Sequence, residues 1–140
     1  MSTNIELNPI QPPHFWTQKG FYAITVCFNL CLVAQVLSVG IAYFYAPEWW
    51  AIHVGLVRAY SGLTLILLIW VFAIPFPKRI RLLTVSLPIL VSLQFLTIHL
   101  KINLPLAALH PLIGFTLFSA STNLVHRTRR IAYPKSGAED

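Results

Sequence analysis

Acidic residues are scarce in this sequence. Asp and Glu number 4 in 140 residues, against 10 Lys and Arg, and no acid lies between Glu48 and Glu139. That interval holds most of the apolar sequence. Proton-coupled membrane transport usually relies on carboxylates inside the membrane, and hydrolytic acid–base chemistry commonly relies on paired carboxylates. The sequence therefore excludes both of these function classes.

Cysteine and the common catalytic motifs are also lacking. The chain has 2 cysteines, Cys27 and Cys31, which lie one helical turn apart in an apolar segment and are typical of small buried residues rather than a disulfide. No CxxCH motif is present, which excludes covalent c-type haem attachment. The sequence also has no glycine-rich phosphate loop, no serine triad and no convincing zinc spacing. We therefore predict no catalytic residue.

The composition is that of a membrane protein. Hydrophobic residues make up 56% of the chain and charged residues only 10%, whereas soluble domains carry about 25% charged residues. A membrane helix needs about 20 mostly apolar residues, and four segments separated by prolines meet this requirement: 21–45, 49–74, 80–99 and 105–125. The short connections favour antiparallel neighbours. We predict an all-α fold, a four-transmembrane-helix antiparallel bundle.

The basic residues predict the orientation of this bundle. Lys78, Arg79 and Arg81 lie between the second and third segments, and further basic residues follow the fourth, whereas the opposite connections hold only Lys101. Lysine and arginine are retained on the side from which a chain inserts. We therefore predict a protein of a bacterial inner membrane or a thylakoid. Both termini should lie on the cytoplasmic side, which in a thylakoid is the stromal side. The net charge of +6 then reflects topology and attraction to membrane lipids, and not nucleic-acid binding.

The predicted domain, residues 21–126, has two flanking segments. Residues 1–20 are too rich in proline for a long helix and should lie along the cytoplasmic surface. Residues 127–140 should form a cytoplasmic tail that is basic at first and then disordered.

Histidines provide the main functional signal. His53, in "AIHVGL", and His110, in "ALHPLIGF", each fall about one turn inside a predicted span on the non-cytoplasmic side, about 6–8 Å below its boundary by helical rise. Two neutral imidazoles at equal depth on different helices are what an axially coordinated haem iron requires. Gly114, one turn after His110, would let the edge of a macrocycle approach the backbone. The alternative is that these histidines only hydrogen-bond across helices.

Two further residues are candidates for contacts with a cofactor. His99 falls at the membrane boundary, where it could reach a haem propionate or a quinone headgroup. Arg58 lies about 7 Å deeper than His53, and the spans contain no acid to neutralise it. Its anion would be a haem propionate, a lipid phosphate or a group on another subunit, although it should point about 140° away from His53 around the helix.

Other polar residues within the spans should form hydrogen bonds between helices. These are Asn29, Gln35, Gln94 and Asn123.

The "ALHPLIGF" and "AIHVGL" segments, together with Gln35 in "VAQVLSVG", resemble small four-helix b-type cytochromes and haem-bearing membrane anchors of respiratory dehydrogenases. They also resemble an uncharacterised bacterial four-span membrane family. This resemblance implies haem b with His53 and His110 as axial ligands, in an electron-transfer or accessory subunit of a larger membrane complex. The alternative is a non-redox accessory or assembly subunit of a photosynthetic or respiratory complex, which binds chlorophyll or carotenoid, or no cofactor.

Overall fold

A computed structural model of the chain describes residues 15–100 and 106–134. The part described is helical and has no strand, which confirms the all-α prediction. One short 3₁₀ helix precedes the last of the long helices. The elements are α1 (Phe15–Phe44), α2 (Trp49–Ala73), α3 (Lys78–His99), the 3₁₀ helix (Leu106–Leu109) and α4 (His110–Ala132).

Prolines and backbone hydrogen bonds mark the breaks between helices, as the sequence predicted. The carbonyl of Ile41 accepts from the amides of Tyr45 and Ala46, both at 2.9 Å, which closes the last turn of α1 before Pro47. Pro77 is the N-cap of α3. Its ψ of 147° is extended and not helical, so α3 begins at the next residue. α2 and α3 therefore begin and end close to the predicted bounds.

The outer helices differ from the predicted spans. α1 begins at Phe15, inside the predicted surface arm, and α4 continues to Ala132, into the predicted tail. At this end of the bundle the Tyr133 ring, just after α4, stacks edge-on against Tyr22 at 5.7 Å and lies 5.0 Å from the ammonium group of Lys19, so the end of α4 packs against α1. Residues 1–14 and 135–140 lie outside the described residues.

The start of α4 also differs from the prediction, which placed His110 about one turn inside its span. In the structure His110 is the first residue of α4, with Pro111 in the first turn, where its fixed φ suits a helix start. The turn before it is the 3₁₀ helix, so His110 is still preceded by a helical turn, but a tighter one. Pro105 lies outside the described residues.

The four long helices form a ring. Each of α2 and α3 packs against its neighbours in sequence, α4 packs against α3, and α1 closes the ring by packing against α4. Among the described residues, the diagonal pairs α1–α3 and α2–α4 bring no two Cα atoms within 8 Å of each other. Short connections between packed neighbours make the helices alternate in direction. The structure is thus a helical bundle in which α2 and α4 face each other across the core.

The interior contains many hydroxyl groups, whereas the surface is apolar. Buried hydroxyl residues include Thr25, Thr84 and Thr128, each of which donates to the carbonyl four residues earlier in its own helix. Such bonds satisfy a polar side chain without a partner on another helix. Large apolar side chains such as Ile69 (73% exposed) and Phe115 (73%) point outwards instead. The inner faces of the helices are therefore built from small and hydroxyl-bearing residues between large apolar ones.

Length and hydropathy make three helices candidates to cross a membrane: Trp16–Phe44, Trp49–Ala73 and Lys78–His99. α4 is not among them, because its polar and basic residues lower its hydropathy. It nevertheless occupies a full side of the ring, between α1 and α3.

Candidate functional site

The core changes character towards one end of the bundle, where α1 and α3 end and α2 and α4 begin. The last large buried apolar side chains on the four helices are Leu32, Tyr60, Val91 and Leu117. Beyond them, the buried residues are small or polar: Ser38, Ala42, Gln94 and Thr97. His53 and His110 lie at this same end and are both partly buried.

Gln35 of α1 and His53 of α2 are joined by hydrogen bonds. The Gln35 side-chain amide donates to the backbone carbonyl of His53 at 3.1 Å, and its nitrogen also lies 3.1 Å from His53 Nε2. An amide nitrogen can only donate, so Nε2 accepts and must carry its lone pair. This confirms the prediction that Gln35 bonds between helices.

Ser38 defines the other side of the His53 ring. The Ser38 hydroxyl donates to the carbonyl of Gln35 at 2.8 Å and lies 3.4 Å from His53 Nδ1. Since the hydroxyl proton is engaged, its oxygen is free to accept from an Nδ1–H group. We therefore assign the neutral Nδ1–H tautomer to His53, with the Nε2 lone pair directed at the Gln35 amide. The indole of Trp50 stacks edge-on against the ring at 5.6 Å and limits its access to the surface.

His110 lies at the same end of the bundle as His53, on the helix diagonal to α2. Its ring is partly buried, and its Nδ1 is buried without a hydrogen-bond partner among the described residues. The structure thus places the two histidines that the sequence singled out at one end of the core, on diagonal helices.

Gln94 of α3 lies against α4 at Gly114. A Cβ atom on Gly114 would lie 2.9 Å from Gln94 Nε2, which shows how closely this side chain approaches the helix. The space beside Gly114 is therefore filled by the Gln94 side chain, whereas the sequence predicted that the edge of a macrocycle would lie there. Gln94 makes no interhelical side-chain hydrogen bond within the described part of the chain, and its Oε1 is buried and unpartnered.

Together these residues form what we call the polar layer: Gln35, His53, Gln94 and His110, one from each long helix. In each half of the ring the glutamine lies on the first helix of a hairpin and the histidine on the second, and Gln35 is hydrogen-bonded to His53. Within the described residues, Gln35 Oε1, Gln94 Oε1 and His110 Nδ1 are all buried without a partner. Buried polar atoms normally have partners, so the polar layer has binding capacity that the chain itself does not use.

Arg58 and His99 lie away from the polar layer. Arg58 is exposed on the outer surface of α2, consistent with its predicted direction away from His53. His99 is exposed at the end of α3, where its Nδ1 lies 2.8 Å from the carbonyl of Phe95 in the same helix. The structure therefore does not bring either residue to the two facing histidines.

The asparagines show two different outcomes. Asn29 of α1 donates to the hydroxyls of Ser121 and Thr122 of α4, at 3.1 Å each, which confirms the predicted interhelical bond. The prediction for Asn123 is wrong: its side chain is exposed, and its amide donates at 2.9 Å to the carbonyl of Ser119 in the same helix.

The polar layer supplies few protein ligands for a metal. No group of three or more His, Cys, Asp or Glu side chains placed to hold a metal ion is found within residues 15–100 and 106–134. Protein zinc sites use three or four such ligands. Two imidazoles are enough for an iron whose other four ligands come from a porphyrin ring. The donor set of the polar layer therefore fits a haem better than a bare metal ion.

The presence of Gln35 and Gln94 in the same layer as the two histidines was not predicted from the sequence. The available signal was the order of residues: in each half of the chain a glutamine precedes the histidine of the next helix. Helical periodicity predicts which residues share a face of one helix, but it does not show which faces of two helices meet.

Comparison with known proteins gives one family match. Residues 35–99 match a family of unknown function (DUF6220). The matched segment begins at Gln35 and ends at His99, so it includes His53 and Gln94 but not His110. No curated protein and no solved structure matches the chain.

Proposed function

We propose that the chain is an integral membrane protein whose four long helices all cross the bilayer, with both termini on the cytoplasmic or stromal side. Three of the helices are long and apolar enough to do so, and the surface of the ring is apolar while its interior contains hydroxyls. α4 completes the ring and would be enclosed on two sides by α1 and α3.

The distribution of charge supports this orientation. The starts of α1 and α3 and the end of α4 lie at one end of the bundle, and this end carries Lys19, Lys78, Arg79, Arg81, Arg127, Arg129 and Arg130. The opposite end carries Glu48 among the described residues. By the positive-inside rule the basic end is cytoplasmic, and the polar layer lies in the opposite leaflet.

Within this bundle we propose that His53 and His110 bind haem b as its two axial ligands. The observation that carries the proposal is that these two histidines lie on diagonal helices, in the layer where large buried apolar side chains are replaced by polar ones. A haem iron takes one nitrogen from each face of the ring, and facing helices of a four-helix bundle are where such ligands are found. When bound, the haem would supply one-electron transfer.

The hydrogen bonds of His53 are compatible with this role. Ligand histidines usually hold their second ring nitrogen in a hydrogen bond, which orients the ring and selects the tautomer. Ser38 stands at Nδ1 of His53 in this position. The Nε2 lone pair accepts from the Gln35 amide, so the proposed haem binding requires that amide to turn aside.

The chain would then serve as an electron-transfer or accessory subunit of a larger membrane complex.

The test is a reduced-minus-oxidised optical spectrum of the protein purified from cells supplied with a haem precursor. Wild-type protein should show the α-band of a b-type haem, and His53→Ala and His110→Ala should each lose it. His99→Ala is the matched control, because His99 is exposed and bonded within its own helix, and it should keep the band. A wild-type protein without the band, or equal loss in all three variants with unchanged helix content, would refute the proposal.

A second candidate is a non-redox accessory or assembly subunit, in which each histidine holds a chlorophyll or simply hydrogen-bonds and carotenoid packs on the surface. The exposed position of Arg58 on the outer face of α2 favours it, since a charge inside the bilayer needs an anion. A carboxylate of another subunit could supply that anion. Pigment extraction after copurification from native membranes separates the candidates: chlorophyll or carotenoid without haem would support this one.

A further inference from the structure

A basic cleft lies at the opposite end of the bundle, between the start of α3 and the end of α4. It has a volume of about 310 Å³ and is lined by Arg79, Leu82, Leu83, Asn123 and Arg127. Three of these residues belong to α3 and two to α4, so the cleft runs between two packed helices. It is far from the polar layer and plays no part in the proposed haem site.

Positive charge in this cleft is not neutralised by the described part of the chain. Within the described residues the acidic side chain is that of Glu48, which lies before α2 at the other end of the bundle. α3 has no acidic residue in its first turn and no side-chain cap. The first turn therefore carries basic side chains at the positive end of the helix dipole, where a bound anion is favoured. Arg81, by contrast, is tied to the carbonyl of Phe76 at 2.9 Å.

The lining changes from basic to apolar along the helix axes. Arg79 lies in the first turn of α3, and Leu82 and Leu83 lie about one turn further into the bundle. On α4, Arg127 lies near the helix end and Asn123 one turn deeper. The Asn123 amide donates one proton to Ser119, and an amide nitrogen carries a second. The cleft thus presents two guanidinium groups at its rim, an amide below them and two leucines beside it.

From this arrangement we propose that the cleft binds the phosphate group of an anionic membrane lipid. The planar guanidinium of arginine matches phosphate oxygens with paired hydrogen bonds. A free phosphate ion makes no apolar contact with the leucines, whereas a lipid bound by its phosphate places its acyl chains against them. The proposal depends on the membrane insertion and orientation proposed above, and not on the haem.

Native mass spectrometry of the full chain in detergent tests this site. The probes are phosphatidylglycerol, which is anionic, phosphatidylcholine, which is zwitterionic, and inorganic phosphate, each at the same concentration. The test variant is R79Q/R127Q. Its control is R129Q/R130Q, which removes the same charge from exposed residues near the end of α4 that do not line the cleft.

Wild type and the R129Q/R130Q control should bind one phosphatidylglycerol molecule in preference to phosphatidylcholine. R79Q/R127Q should bind it at least about tenfold more weakly, since each lost hydrogen bond between charged groups is a large fraction of the binding free energy. Helix content measured by circular dichroism should be the same in both variants.

Three outcomes would overturn the proposal. Equal weakening in both variants would show a general effect of net charge. Equal binding of the two lipids would show that the phosphate of an anionic lipid is not selected. Displacement of phosphatidylglycerol by an equal concentration of inorganic phosphate would assign the cleft to a soluble anion. Carbonate extraction of native membranes tests insertion separately, so failure of the membrane proposal can be distinguished from failure of this site.

Discussion

Replacement of Gln35 by leucine should have opposite effects on two quantities: it should lower the free energy of unfolding of the protein without haem, and it should not lower the proposed affinity for haem. The substitution keeps a similar side-chain volume but removes the amide that bonds to Nε2 and to the carbonyl of His53. Hydrogen bonds between membrane helices contribute about 0.6 kcal/mol on average and at most about 1.7. With two such contacts, the ligand-free protein should be destabilised by about 1 kcal/mol.

Gln94→Leu is the matched control for this change. It makes the same substitution in the other hairpin, but the Gln94 side chain makes no interhelical hydrogen bond within the described residues and its Oε1 is a buried, unpartnered acceptor. Both substitutions remove a buried, unpartnered Oε1 and recover part of its desolvation cost, so the two variants differ in the hydrogen bonds of Gln35 to His53. We therefore expect Gln94→Leu to cost less than Gln35→Leu.

The measurement is the free energy of unfolding of both variants in mixed micelles, with increasing sodium dodecyl sulfate and helix content as the signal. The same proteins are then titrated with haem. In the proposed haem site the Gln35 amide would compete with iron for Nε2, so haem affinity in Gln35→Leu should equal or exceed that of wild type, by up to about tenfold for a bond worth about 1.4 kcal/mol. The reasoning fails if Gln94→Leu costs as much as Gln35→Leu. It also fails if Gln35→Leu abolishes haem binding while the fold is retained.

Two further predictions concern packing between helices, each with a control on the chain itself. Gly20→Ala would place a methyl carbon 2.9 Å from the ring of Trp70, whereas at Gly62 nothing lies within 4 Å; in the same unfolding assay Gly20→Ala should cost about 1–2 kcal/mol, and Gly62→Ala should be neutral or stabilising by up to about 1 kcal/mol. Equal effects at the two glycines would contradict this. Asn29→Leu should cost about 1 kcal/mol, because it removes two contacts to hydroxyls of α4, while Asn123→Leu should be nearly neutral, because that amide bonds within its own helix. A larger loss at Asn123 than at Asn29 would show that the assignment of interhelical bonds is wrong.

Helix positions could be predicted from the sequence because the relevant signals are local. Pro47 and Pro77 interrupt the apolar segments by steric effects on their immediate neighbours, and α2 and α3 end close to the predicted bounds for that reason. The direction of Arg58 was equally local, since a rotation of about 100° per residue fixes its angle to His53 on one helix. The start of α1 and the end of α4 were not predicted. There Tyr133 contacts Lys19 and Tyr22, which are distant from it in sequence, and such contacts leave no local signal.

By itself the sequence determined that the chain forms apolar helices, and that His53 and His110 lie near the same end of alternating helices, since chain direction reverses at each short connection. Only the tertiary structure decided that α2 and α4 are diagonal, which places the two histidines on opposite sides of the core. It also decided that a glutamine from each remaining helix enters the same layer, with Gln35 bonded to His53 and Gln94 against Gly114. The physical reason is that helix formation depends on neighbours within four residues, whereas the order of helices around a ring depends on which side chains fit together across it.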